Sequence, residues 1–212
     1  MPLYTTSFPS VSVAGNSTVT GNESVGGSLS VSGNTAGEVL PVNHGVVAWS
    51  YDPSLAPNAS LLTNGTVYLS AVYAQRSVSV TKLYWWVTAV GVTPTSSQNF
   101  VGIYDSTGSR LQTTNVDADI TSTGLKTTTI TSQALTAGSF YWVAMVFNAA
   151  TAPTVARGTG TTGASSVVVM GQTAATFRYA TNGTSQTSLP TSITPASNSA
   201  LNFAGPWVAV GT

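Results

Sequence analysis

Few residues in this chain are suited to acid–base or metal chemistry, and they are scattered. The 212 residues include six acidic side chains, six basic ones and one histidine. Asp117 and Asp119, in NVDADI, are the most closely spaced carboxylates. On a strand, positions i and i+2 share a face, and paired carboxylates cleave glycosides. Their oxygens would also suit calcium, which takes about six or more such ligands. The stretch reads as a loop, however, where aspartate ordinarily caps a turn. A turn is therefore the expected role, with calcium binding and catalysis as alternatives. His44, in PVNHGVV, has neither a nucleophile nor an orienting acid beside it. Alone and without cysteine, it builds no zinc site unless carboxylates join it. The chain has no cysteine, which removes disulfides and thiolate chemistry together. No glycine-rich phosphate loop precedes a helix, because no helix is expected. The expectation is a protein that is not an enzyme and holds no metal or cofactor.

The aromatic residues offer a different chemistry. Five Trp, eight Tyr and six Phe serve a chain with 6% charged residues. In KLYWWVTAV, strand alternation puts Leu83, Trp85 and Val87 on one face and Tyr84 and Trp86 on the other. In FVGIYD, Val101 and Ile103 oppose Tyr104. If the aliphatic faces form the core, Tyr84, Trp86 and Tyr104 look outward. There they would stack on sugar rings or pack against a neighbouring subunit. The competing reading buries them, since Trp and Tyr usually hide most of their area.

Composition narrows the partners. Charged residues are 6% of this chain, against roughly 25% in an average soluble domain. Nucleic acid requires clustered Lys and Arg to displace counterions, and a membrane-surface helix requires a basic amphipathic face; the sequence shows neither. Its longest apolar run, FYWVAMVF at 140–147, is shorter than the roughly 18 residues of a spanning helix. The opening MPLYTTSFPS lacks the basic and apolar regions of a signal peptide, which predicts synthesis in a cytoplasm. Five Asn-X-Ser/Thr sequons, at Asn16, Asn22, Asn58, Asn64 and Asn182, are read as a consequence of abundant Asn, Ser and Thr.

The elements that would position these residues are strands. Runs of β-branched and aromatic residues separated by Gly, Pro, Asn and Ser predict strands at 45–51, 66–74, 79–90, 99–105, 109–115, 125–132, 139–148, 165–171, 175–180 and 206–212. YDSTGSRL reads as a hairpin with Gly108 at positive φ, PNASLLTNGTVYL as carrying an Asn-Gly turn, and LTAGSFYWVAM as a turn entering a central strand. No segment holds a 3.6-residue period. An all-β fold follows, a β-sandwich of jelly-roll type.

The first segment is different. Val11–Asn34 repeats every six residues, with Val13, Val19, Val25 and Val31 in phase, followed two residues later by Gly15, Gly21, Gly27 and Gly33. Six is not a helical period. Such hexads form the flat faces of a triangular β-solenoid, with valine inward and Gly-Asn turning the corner. Four hexads from one chain leave an unfilled interior and open edges. Three chains supply twelve hexads, or four complete layers at roughly 4.8 Å each. The phase breaks at Thr35-Ala36-Gly37. A short intertwined three-chain stalk is the reading; a flexible linker would not keep valine and glycine in register.

The repeat VTGNESVGGSLSVSGN resembles the glycine-asparagine-valine repeats of bacteriophage fibre and tail proteins. The blocks KLYWWVTAVG, NFVGIYDSTGSRL and LTAGSFYWVAMVF resemble a β-sandwich module of minor tail and fibre proteins, notably of phages infecting actinobacteria. The resemblance implies a homotrimeric, virion-attached fibre with a globular tip, and transfers no ligand residues. The expected organisation is a virion-anchoring peptide at 1–10, a trimeric stalk at 11–37, a joint at 38–44 and a β-sandwich head at 45–212. The expected function is host-surface glycan recognition, through Tyr84, Trp86 and Tyr104. Three other readings stand beside it: a capsid head fibre or decoration protein without a receptor; a small glycan-depolymerising tailspike, against which the missing carboxylate constellation argues; and a secreted carbohydrate-binding module, against which the missing signal peptide and the stalk argue. The expected partners are two further copies, other virion proteins through the N-terminus, and a host glycan, with neither nucleic acid nor membrane insertion.

Overall fold

The computed structural model describes residues 40–159, 171–201 and 203–212. The hexads with Val13, Val19, Val25 and Val31, the anchoring peptide, the first residues of the joint and the expected strand residues 165–170 lie outside the described residues.

The described fold is all-β. Its strands are β1 (Ala48–Trp49), β2 (Asn58–Leu61), β3 (Tyr68–Tyr73), β4 (Val78–Ala89), β5 (Val92–Pro94), β6 (Phe100–Asp105), β7 (Arg110–Asn115), β8 (Gly124–Leu135), β9 (Phe140–Val146), β10 (Ala149–Thr151), β11 (Thr154–Arg157), β12 (Tyr179–Thr181), β13 (Ser199–Ala200) and β14 (Val208–Gly211). Every recorded pairing is antiparallel. Only short 3-10 turns accompany the strands among the described residues. One sheet runs β1-β14-β4-β11-β2, with β8 on the other side of β4. The second runs β13-β12-β3-β9-β6-β7, and β5 and β10 form a small ribbon.

The two large sheets share a core. Leu83, Trp85, Val87, Val208 and Val210 of the first sheet join Val72, Val101, Ile103, Val143 and Met145 of the second. Trp85 stacks on Phe147 with ring centroids 5.5 Å apart. This agrees with the expected sandwich. The alternation read in KLYWWVTAV holds: Leu83, Trp85 and Val87 are fully buried, while Trp86 is 44% exposed.

Tyr104 requires a correction. It lies opposite Val101 and Ile103, as alternation demands, yet it is fully buried. Around Tyr104 the outer face of the second sheet is covered. Leu189 and Ile193 lie over it and form a second core with Leu69, Tyr104, Trp142 and Val146. The Tyr104 hydroxyl donates to the Pro190 carbonyl at 2.5 Å, and Arg110 Nη1 donates to the Leu189 carbonyl. Gly102 marks how closely this cover sits. A Cβ there would clash with the Gln112 carbonyl and meet Leu189 Cδ1 at 2.8 Å. Sandwiched between two apolar layers, β9 reads FYWVAMV, apolar on both faces. Burial of the Tyr104 phenol raises its pKa, partly offset by Arg110.

The turns follow their residues. Gly108 closes the β6–β7 hairpin at φ 89°, and its N–H reaches the Asp105 carbonyl at 3.0 Å. Gly65 makes the Asn-Gly turn at φ 71°, and Gly138 leads into β9 at φ 77°. The expected strand at 175–180 is replaced in part by a 3-10 turn, Ala174–Thr176, held by a capping box between Thr173 and Thr176; pairing begins only at Tyr179. Residues 40–44, assigned in sequence to a joint, belong to the compact unit Val39–Thr212. They form a 3-10 turn, Pro41–His44, closed by Gly45 at φ 72°.

Candidate functional site

The outer face of the first sheet carries a cleft of about 480 Å³, lined among others by His44, Trp49, Tyr84, Trp86, Leu125 and Trp207. Strand register builds it. Trp49 of β1 lies opposite Ala209 of β14, and Ala209 lies opposite Tyr84 of β4. Directly opposite residues share a sheet face. Trp49 and Tyr84 therefore flank a small alanine, roughly 10 Å apart by strand spacing, and a trough opens between them. One step along, Trp86 pairs with Leu125 of β8, and both are exposed, at 44% and 51%. Gly211 permits the Tyr84 ring to lie against the sheet, since a Cβ there would meet Tyr84 Cε2 at 2.8 Å.

Neighbouring contacts fix the walls. His44 meets Trp49 edge to face, with ring centroids 5.2 Å apart. The Trp207 indole N–H donates to the Tyr51 carbonyl at 3.1 Å. Buried Trp85 and Trp142 likewise donate, to Thr128 Oγ1 and the Phe177 carbonyl, both at 2.9 Å. Trp49 Nε1, Trp86 Nε1 and the Tyr84 hydroxyl have no hydrogen-bond partner among the described residues. The cleft thus offers aromatic faces with free donors at their edges, and no carboxylate, lysine or arginine lines it. An aromatic face carries negative charge density that attracts the C–H groups of a sugar ring. A concave, mostly apolar cleft of this size with a few polar groups suits a small organic ligand.

Of the residues predicted as a binding set, Tyr84 and Trp86 come together here and Tyr104 does not. Sequence reading missed Trp49 and Trp207, which stand near opposite ends of the head. Alternation around Ala48 and Val208 marks them as outward-facing, but nothing local signals that β1, β14 and β4 lie side by side. His44, read as a joint residue, is part of the cleft wall.

Asp117 holds a turn. Asp117 Oδ2 accepts from the Ser97 N–H at 2.6 Å, and Oδ1 accepts from the Asn99 amide at 2.8 Å. Ser97 has φ 58°, so the carboxylate staples a left-handed residue. Asp119 begins the 3-10 turn Asp119–Thr121. Among the described residues no cluster of three or more His, Cys, Asp or Glu is arranged to hold a metal. Burial opposes ionisation of Asp117, but hydrogen bonds from Asn99 and Ser97 outweigh it and lower its pKa. Asp105 behaves alike: burial is outweighed by hydrogen bonds from Thr107 and Ser109. Burial raises the pKa of Asp119, partly offset by Lys126.

Groups with lowered folded pKa stabilise the fold above the unfolded value, about 3.9. That stability is lost as pH falls through the lowered folded value. Asp105 and Asp117 therefore make the head acid-sensitive below about pH 4, and Asp119 pulls the opposite way. Asp117→Ala is expected to lower stability by about 1–3 kcal/mol, because two donors lose their acceptor, and to flatten the acid limb of a stability-against-pH curve. Urea melts across pH check this; unchanged stability would return Asp117 to the functional candidates.

No protein-family model matches the chain, and no curated protein matches it in sequence.

Proposed function

We propose that this chain is a bacteriophage virion fibre protein, a homotrimer whose head binds host-surface glycan through the aromatic cleft. The observation that carries the binding reading is the alignment of Trp49, Tyr84 and Trp86 on one open sheet face with free donors at their edges. Their partner is uncharged where it meets the rings, and stacking replaces ion pairing there. The hexads of Val13, Val19, Val25 and Val31 supply the trimer reading, and three heads on one stalk strengthen weak single sites. The resemblance to fibre and tail proteins supplies the virion. The joint and the cleft are neighbours in sequence, since His44 closes one and lines the other.

A fluorescently labelled full-length protein should decorate cells of the host bacterium. Trp86→Ala should remove the decoration while leaving oligomeric state and near-UV dichroism intact. Because no carboxylate, lysine or arginine lines the cleft, binding of a neutral oligosaccharide to it should change little between low salt and about 1 M, where the Debye length falls to roughly 3 Å. A protein that ignores the host envelope would sink the receptor-binding reading and favour a capsid-decoration role.

A further inference from the structure

A second cleft, of about 460 Å³, adjoins the first. The segment 53–57 separates them: Pro53 and Ala56 line the aromatic cleft, while Ser54, Leu55 and Pro57 line the second. Its other walls include Tyr51, Tyr179 and Arg178. The two tyrosine rings meet edge to face at 5.9 Å. Their hydroxyls are used internally, Tyr51 donating to the Gly205 carbonyl at 2.9 Å and Tyr179 to the Ser50 carbonyl at 3.2 Å. They therefore present rings, not acids or bases; burial pushes the Tyr179 phenol up to about 12.

Among the described residues no carboxylate pairs with the charge here. Arg178 donates through Nη2 to the Ser50 carbonyl at 2.6 Å and lies 5.2 Å from the Tyr179 ring centroid. Arg157, a second guanidinium, acts electrostatically on the Tyr51 hydroxyl and sits 4.5 Å from the centre of the Phe203 ring. The Nε of each is buried without a hydrogen-bond partner. The carboxylates of the described residues are engaged elsewhere. Asp52 takes the Ser54 N–H, Asp105 takes Thr107 and Ser109, Asp117 takes Ser97 and Asn99, and Asp119 faces Lys126. Each guanidinium has a neutral carbonyl acceptor, Ser50 for Arg178 and Gly158 for Arg157, but a partly desolvated cation without a counter-charge is costly, and two of the chain's six basic residues lie beside one tyrosine pair.

We propose that the Arg178 cleft is an oxyanion subsite, and that the glycan on the aromatic cleft crosses the 53–57 ridge to place an acidic group there. A guanidinium presents fixed N–H donors suited to carboxylate or phosphate oxygens. The flanking hydroxyls of Ser54 and Thr159 and the tyrosine faces suit the rest of an acidic sugar. That the anion is carried by a sugar rests on the glycan reading; that the subsite takes an oxyanion does not.

Calorimetric titration of the full-length protein tests this with three probes: tetragalacturonate, its neutral methyl ester, and a glycerol-phosphate oligomer. The free acid should bind at least about tenfold more tightly than the ester, as one charge-assisted contact provides. Arg178→Gln should erase that difference and leave ester binding unchanged. In the unmodified protein the difference should also collapse at about 1 M salt, a readout that needs no variant. If only the phosphate oligomer shows the Arg178-dependent gain, the subsite stands with phosphate as its anion. Equal affinity for acid and ester together with no gain for phosphate, or a gain that survives Arg178→Gln, overturns the subsite. Failure of the glycan reading looks different: the ester would not bind and Trp86→Ala would change nothing, while the charged oligomers still bound through Arg178.

Discussion

Trp85→Ala is expected to leave the head barely folded or unfolded, whereas Trp86→Ala, one residue on, is expected to leave it folded but without the proposed glycan binding. Trp85 is fully buried, stacks on Phe147 and gives its indole N–H to Thr128 Oγ1. Truncation opens a cavity worth about 3–5 kcal/mol and strands a buried hydroxyl that costs about 1 kcal/mol more. Set against the roughly 5–15 kcal/mol that holds a typical domain together, that is a large share. Trp86 points the other way, 44% exposed, with no hydrogen bond from its indole among the described residues. Its removal should cost about 1 kcal/mol or less while removing a central wall of the cleft. Urea titrations followed by near-UV dichroism, run beside a cell-binding assay, separate the two effects. Equal destabilisation by both substitutions would mean that Trp86 serves packing, and the aromatic cleft would lose its claim to a ligand.

The neighbouring tryptophans show what sequence reveals. Strand alternation is local, so KLYWWVTAV announces both faces of β4, and the register with β14 and β8 honours them. The Gly108 hairpin and the entry to β9 are equally local. Tyr104 failed because alternation says which residues share a face, not whether that face meets water. Its cover comes from a polar stretch, 182–198, in which Leu189 and Ile193 are the apolar anchors. Two anchors without periodicity give no signal. The cleft was half legible for a related reason. Tyr84 and Trp86 are visible in one strand, but Trp49 and Trp207 reach them only because the head's first strand pairs with its last and the last pairs with β4. The Arg178 cleft was hidden altogether, since Tyr51, Thr159 and Arg178 are far apart in the chain and meet only in the fold.

The second large effect is expected from the stalk. If Val13, Val19, Val25 and Val31 fill a shared interior, Val19→Asp with Val25→Asp crowds carboxylates from three chains into one dry space, where unpaired charges are not tolerated. The double variant should run as a monomer in gel filtration with light scattering, while its head keeps the dichroism of the parent. Cell decoration should then fall by a factor of about 10² or more, because linking weak sites raises avidity by roughly 10²–10⁴ without any new contact. The intrinsic affinity for a soluble oligosaccharide, measured per head, should not move. A trimer that survives both aspartates would mean that the valines do not face inward or that the heads carry the assembly. A monomer that still decorates cells as well as the parent would show that the aromatic cleft binds tightly enough alone, and the need for three heads would disappear.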